Sequence, residues 1–173
     1  RNGSLQLGGY RFDFHLQNGQ PSLWLDYRPL LDGRVLVLMA SPQNATDQTL
    51  IPLLVFKTLL DPLLRQHLSG NDDTVLQPQR LLRHLNNELC HSRIRTAFDV
   101  WVGVLDTKQQ HWRWAQAGDM IHSEPQAKPD LALGIWQQAR YQCRELEQVS
   151  KIHARLPQQA ELIIQRETPQ TAE

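Results

Sequence analysis

The sequence predicts an α+β fold, a sandwich of two mostly antiparallel β-sheets flanked by helices. Three observations lead there: strand-like alternation precedes any helix, two helices then follow in succession, and the remainder returns to short strands. A doubly wound parallel sheet would instead alternate strands and helices along the chain.

The first strand is read in Tyr10, Phe12, Phe14 and Leu16, which alternate with Arg11, Asp13 and His15. That is the period of a half-buried strand, and Asn18-Gly19 offers a hairpin turn to a partner at Leu23 to Leu30. Leu31-Asp32-Gly33 reads as a further turn. The unbroken apolar run of Arg34 to Ala40 predicts a strand covered on both faces.

Asn44, Thr46 or Asp47 can cap the helix that follows, because each offers a side-chain oxygen to the orphan amides of a first turn. Its apolar positions run from Leu50 to Leu68, and Asp61-Pro62 predicts a kink or restart within it. Beyond the loop Ser69 to Asp73, Pro78 opens a second helix with Leu81, Leu82, Leu85 and Leu89 on one side. Phe98 to Asp106 and Gln110 to Ala117 form a second predicted hairpin. Strands are also expected at Leu131 to Trp136, Arg140 to Leu146, Ile152 to Ala154 and Glu161 to Gln165.

The 173 residues suit one domain, spanning 10–166, with residues 1–9 a flexible polar start and 167–173 a frayed tail. The chain begins with Arg1 rather than Met, so a domain preceding it is expected. Eighteen basic and eighteen acidic residues balance, giving no global field toward nucleic acid or anionic lipid. No apolar run approaches the length of a membrane span, no signal peptide is evident, and Cys90 and Cys143 form no C-x-x-C pair. A reducing cytoplasm fits these features.

Motifs for chemistry are sparse. The seven histidines show no metal-ligand spacing, Ser41 lacks the glycines of a nucleophile elbow, and no phosphate-binding glycine loop occurs. Asp32 reads as a turn residue and Asp47 as a cap, while Asp26, Asp99 and Asp119 lie near strand ends where carboxylates could gather round a divalent ion. On strands, the five tryptophans read mainly as packing residues.

Leu81-Leu82-x-x-Leu85-Asn86, Gly103-Val104-Leu105-Asp106, Ala115-Gln116-Ala117-Gly118 and Leu133-Gly134-Ile135 occur in an order and spacing that resembles the PPM-type (SpoIIE-like) protein phosphatase domain. Asp26 matches the second Asp of that family's "GGDfyD" segment. The resemblance spans about Tyr10 to Gln165. It implies a two-metal site built from an Asp of "GGD", an Asp-Gly turn and a late Asp, which together activate a water.

The positions that correspond depart from this pattern. The first metal position falls at Leu23 and the second at Ser41. The Asp-Gly turn reads Pro42-Gln43-Asn44-Ala45-Thr46, "AGH" has become Ala117-Gly118-Asp119, and the late Asp falls near Arg166. Leu cannot ligate a hard cation and Arg would repel one, so the resemblance implies a pseudophosphatase without cofactor or metal. The truncated form most resembles the C-terminal domain of RssB-like response regulators. That likeness implies an N-terminal receiver domain in cis, a sigma factor and a AAA+ protease (ClpXP) as partners, and self-association into a homodimer as an option. The alternative is a divergent active phosphatase acting on an anti-sigma-type antagonist.

Overall fold

In the computed structural model, residues 2–17, 23–43, 50–93, 96–126 and 128–168 are described. They form three layers: a back sheet, a front sheet and a pair of helices on the outer face of the front sheet. The back sheet has the order β1(Asn2–Leu7), β2(Tyr10–Leu16), β10(Ala160–Arg166), β9(Lys151–Leu156), β7(His122–Glu124). The front sheet has the order β3(Trp24–Pro29), β4(Arg34–Pro42), β5(Phe98–Asp106), β6(His111–Ala117), β8(Arg144–Leu146). Every pairing between these strands is antiparallel.

The front sheet is apolar on both faces, and alternation sorts its side chains. Leu36, Leu38 and Ala40 of β4 face the helices, while Val35, Val37 and Met39 face the back sheet. Trp101, Trp112 and Trp114 fill the space between the sheets, with Trp101 and Trp112 ring centres 5.6 Å apart. Gly103 is required beneath them, because a Cβ there would overlap the Trp112 indole. The back sheet buries Tyr10, Phe12, Leu162 and Ile164 inward and turns Arg11, His15, Lys151 and Arg155 to water. One wet and one dry face is ordinary for an antiparallel sheet.

Helices α1(Leu50–Leu68) and α2(Pro78–His91) cover the front sheet with Phe56, Leu60, Leu64, Leu81, Leu82 and Leu85. Pro78 begins α2 at a position where its missing N–H costs nothing. Among the described residues no helix is long and apolar enough to cross a membrane.

Several expectations need correction. Residues 2–7, read as part of a flexible start, pair along their whole length with β2. The first predicted hairpin does not form: β2 joins β1 and β10 in the back sheet, whereas β3 joins β4 in the front sheet. Its proposed Asn18-Gly19 turn lies outside the described residues. Of the kink or restart expected at Asp61-Pro62, the restart does not occur: α1 runs unbroken with Pro62 inside it. Leu131 to Trp136 is not a strand; it touches the sheet only through the Phe98–Leu133 bridge, and Gly134 adopts a φ of +85°, incompatible with an extended run. The β5–β6 hairpin forms as expected, with Asp106 accepting from the amides of Lys108 and Gln109 in its turn.

Candidate functional site

One end of the front sheet gathers the positions of interest. Ser41 pairs with Asp99 across β4 and β5, and the register then runs from Asp99 to Gly118 just beyond β6. Leu23, preceding β3, continues the same row on the other side. Alternation assigns Leu23, Ser41, Asp99 and Gly118 to the face between the sheets, since Leu25, Met39, Trp101 and Trp114 lie there. The motif resemblance singles out Leu23, Ser41 and the Gly118-Asp119 pair, and the fold places them at one end of the front sheet.

Asp99 is the centre of the row. It is 1% exposed, and both carboxylate oxygens accept hydrogen bonds: Oδ1 from the Gln43 side-chain amide at 2.9 Å, Oδ2 from the Met120 amide at 3.2 Å. Burial pushes its carboxyl above the ordinary range, opposed by those two donors and reinforced by the nearby charge of Asp119. Gly118, at a φ of +79°, leaves the space this carboxylate fills; a Cβ there would overlap it. Gln116 holds the following loop by donating to the Gly118 and Ile121 carbonyls, and the Gly118 amide donates to the Asp130 carbonyl at 2.7 Å. Ser41 is buried in the row, whereas Asp119 and Met120 are exposed at its rim.

The remaining sequence candidates lie elsewhere. Asp26 pairs with Leu38 in the middle of β3, and its carboxylate accepts from Arg28 Nε at 2.8 Å. It is three register steps from Ser41, on the helix side. Arg166 sits at the opposite end of the sandwich. Its Nη1 donates to Gln110 Oε1 at 2.6 Å, in the turn between β5 and β6. β10 runs away from the Ser41 end, so the fold does not bring Arg166 together with Leu23, Ser41 and Asp99. Asn44 to Thr46 and Asp47 lie outside the described residues. Asp99 and Gln43 were missed as a pair. The available signal was a lone acid inside the otherwise apolar run Phe98 to Leu105.

No family model matches the sequence, and no curated protein does. Solved structures match the fold. The SiaA-PP2C domain of Pseudomonas aeruginosa superposes with a TM-score of 0.64 at 11% identity, covering 85% of this chain and 60% of that one. RsbX, in a structure with magnesium, gives 0.63 at 7% identity and covers 95% of this chain and 98% of its own. The RsbU and RsbW domains of Rv1364c from Mycobacterium tuberculosis give 0.65 at 11%, with 95% of this chain and 63% of that one covered. The chain thus has the fold of PPM-type, SpoIIE-like phosphatase domains, while spanning less than two thirds of two of these matched chains.

Phosphatases of this fold imply divalent metal, and the described residues at this end do not fit one. A hard cation needs several anionic oxygens. The row offers an alkyl chain at Leu23, a neutral hydroxyl at Ser41 and one carboxylate at Asp99. Both Asp99 oxygens are already engaged by N–H donors, which also point positive charge into the site. Among the described residues there is no group of three or more His, Cys, Asp or Glu able to hold an ion.

Proposed function

We propose that this domain is a non-catalytic pseudophosphatase that works by binding other proteins. The observation that carries this reading is the row Leu23–Ser41–Asp99–Gly118: it includes the positions that the resemblance assigns to metal ligands, and both oxygens of its single carboxylate accept hydrogen bonds, one from the Gln43 side-chain amide and one from the Met120 backbone amide. The reading extends to the output domain of a bacterial response regulator in the cytoplasm, linked to a receiver domain. It would deliver a partner, such as the stationary-phase sigma factor, to a AAA+ protease such as ClpXP. Purified chain with Mn²⁺ is expected to leave p-nitrophenyl phosphate and a phosphoserine peptide intact, and calorimetry with Mn²⁺ or Mg²⁺ to show no micromolar binding. Hydrolysis that disappears in Asp99→Asn or Asp119→Asn would overturn the reading.

One observation favours a second reading, a divergent phosphatase acting on an anti-sigma-type antagonist. Asp99 and Asp119 sit close enough at this end for the charge of Asp119 to act on Asp99. The same assays decide between the two.

A further inference from the structure

Helix α2 carries its own division of labour. Leu81, Leu82, Leu85, Asn86 and Leu89 are buried, while Arg80, Arg83, His84, Asn87, Glu88 and His91 are exposed. At about 100° per residue, Arg83 and Asn87 fall on the side of the exposed face nearest Asn86, and Glu88 falls on the other side. Asn86 uses both ends of its buried amide on one neighbouring turn: Nδ2 donates to the Trp136 carbonyl at 2.9 Å, and Oδ1 accepts from the Gly134 amide at 2.8 Å. Gln137 adds a second tie, donating to Asn87 Oδ1 at 3.2 Å and lying 3.3 Å from His91 Nε2.

This turn holds its backbone firmly and its side chains out. Trp136 is 56% exposed and Ile135 52%, whereas Trp101, Trp112 and Trp114 are all buried. A large aromatic kept in water by a pinned backbone gives up apolar burial on folding but can recover it in a complex without ordering a loop. Arg83 is exposed one turn before Asn87 on α2, Arg93 is exposed just after the helix and Arg140 shortly after Trp136, and none has a carboxylate partner among the described residues. Asp72 lies near Arg80 and His84, at the far end of the stripe. The chain as a whole is neutral, so this local excess of positive charge is a property of the surface and not of the composition. Trp and Arg are also the residue types that most often anchor protein interfaces.

We propose that the surface formed by Trp136, Ile135 and the Arg83–Asn87 side of α2 binds an acidic amphipathic helix of a partner protein. An apolar residue of that helix covers Trp136, and its carboxylates meet the arginines. The proposal rests on the interaction-module reading only in requiring a partner; phosphatase assays test that reading, and peptide binding tests this one.

The probe is a fluorescein-labelled helix of about 20 residues, with Leu along one face and Glu elsewhere; its counterpart carries Lys at every Glu position. In anisotropy titrations with the whole chain, the acidic helix is expected to bind about tenfold tighter than the basic one, and less tightly as salt rises. Trp136→Ala and Arg83→Glu are each expected to weaken it about tenfold, with melting temperature unchanged because both side chains are exposed. Glu88→Gln, on the other side of the helix, should leave binding as it was. Equal affinity for the two helices, or no loss in either weakening variant, overturns the proposal. So does sedimentation showing a homodimer that Trp136→Ala abolishes while the acidic helix fails to bind, which would assign the surface to a second copy.

Discussion

The Gln43 amide and the Asp99 carboxylate, 56 positions apart in sequence, meet at 2.9 Å at the open end of the sandwich. Among the described residues Asp99 has no cationic partner, and burial raises its pKa. The native state therefore holds a proton over a pH window in which the unfolded chain has released it, so stability is lost as pH rises through that window. At neutral pH the buried charge is a standing cost. Asp99→Asn is expected to raise the melting temperature at pH 7, and this gain should vanish below about pH 4, where both states are protonated. A lower melting temperature at pH 7 would mean that the two hydrogen bonds the carboxylate accepts outweigh the cost of its burial.

Gly118→Ala should be far more damaging than its one added methyl suggests. The substitution forces a side chain onto a φ of +79° and drives its Cβ into the Asp99 carboxylate. A loss of about 2–4 kcal/mol is expected from backbone strain and overpacking together, read from urea unfolding. Combining it with Asp99→Gly should recover part of that loss, since the clash then has no partner.

Asn86→Ala removes both ties to the Gly134–Trp136 turn, leaves a part-buried amide and carbonyl without their partner and empties the buried Asn86 site. About 2–4 kcal/mol of destabilisation is expected. Asn86→Asp should be no milder, because it retains only the acceptor for Gly134 and buries a charge. Denaturant melts measure both.

Asp26→Asn and Arg166→Ala should change little. Asp26 takes part in a part-exposed ion pair with Arg28, worth about 0–1 kcal/mol, and the Arg166 guanidinium reaches an exposed Gln110 contact. Neither is expected to alter the response of the protein to Mg²⁺ or Mn²⁺ in a thermal-shift assay. A metal-dependent shift lost in Asp26→Asn would return that residue to a metal site.

Local patterns carried most of what the sequence revealed. The β5–β6 hairpin, the doubly covered β4 and the amphipathic α2 each announce themselves within one continuous stretch of neighbouring residues. The back sheet did not, because its pairing is remote: β2 meets β10 across the length of the chain, and no short-range signal encodes that contact. The Asn18-Gly19 dipeptide instead suggested a local partner. Polar β1 shows little strand character on its own and is a strand because β2 offers it an edge. The candidate site was legible in part. Counting along the chain from shared motifs reaches Leu23, Ser41 and Arg166 alike; the fold gathers Leu23 and Ser41 at one end of the sandwich and puts Arg166 at the other, because counting reveals nothing of the direction in which a strand traverses the fold. Asp99 stands out in the sequence as an acid near a strand end, but its partners do not, because Gln43 and Met120 are both contributed by other segments.

The alternating side chains of β4 serve both cores, Leu36, Leu38 and Ala40 on one side and Val35, Val37 and Met39 on the other. Their backbone is common property, so neither core can loosen without unsettling the other. In hydrogen-exchange experiments the central amides of β4 and β5 should be released only when the whole domain opens, while β1 and β7 at the sheet edges exchange earlier. The front sheet then acts as a rigid beam: a push on the outer face of α2 would reach the back sheet by tilting that beam as one body rather than by passing from residue to residue.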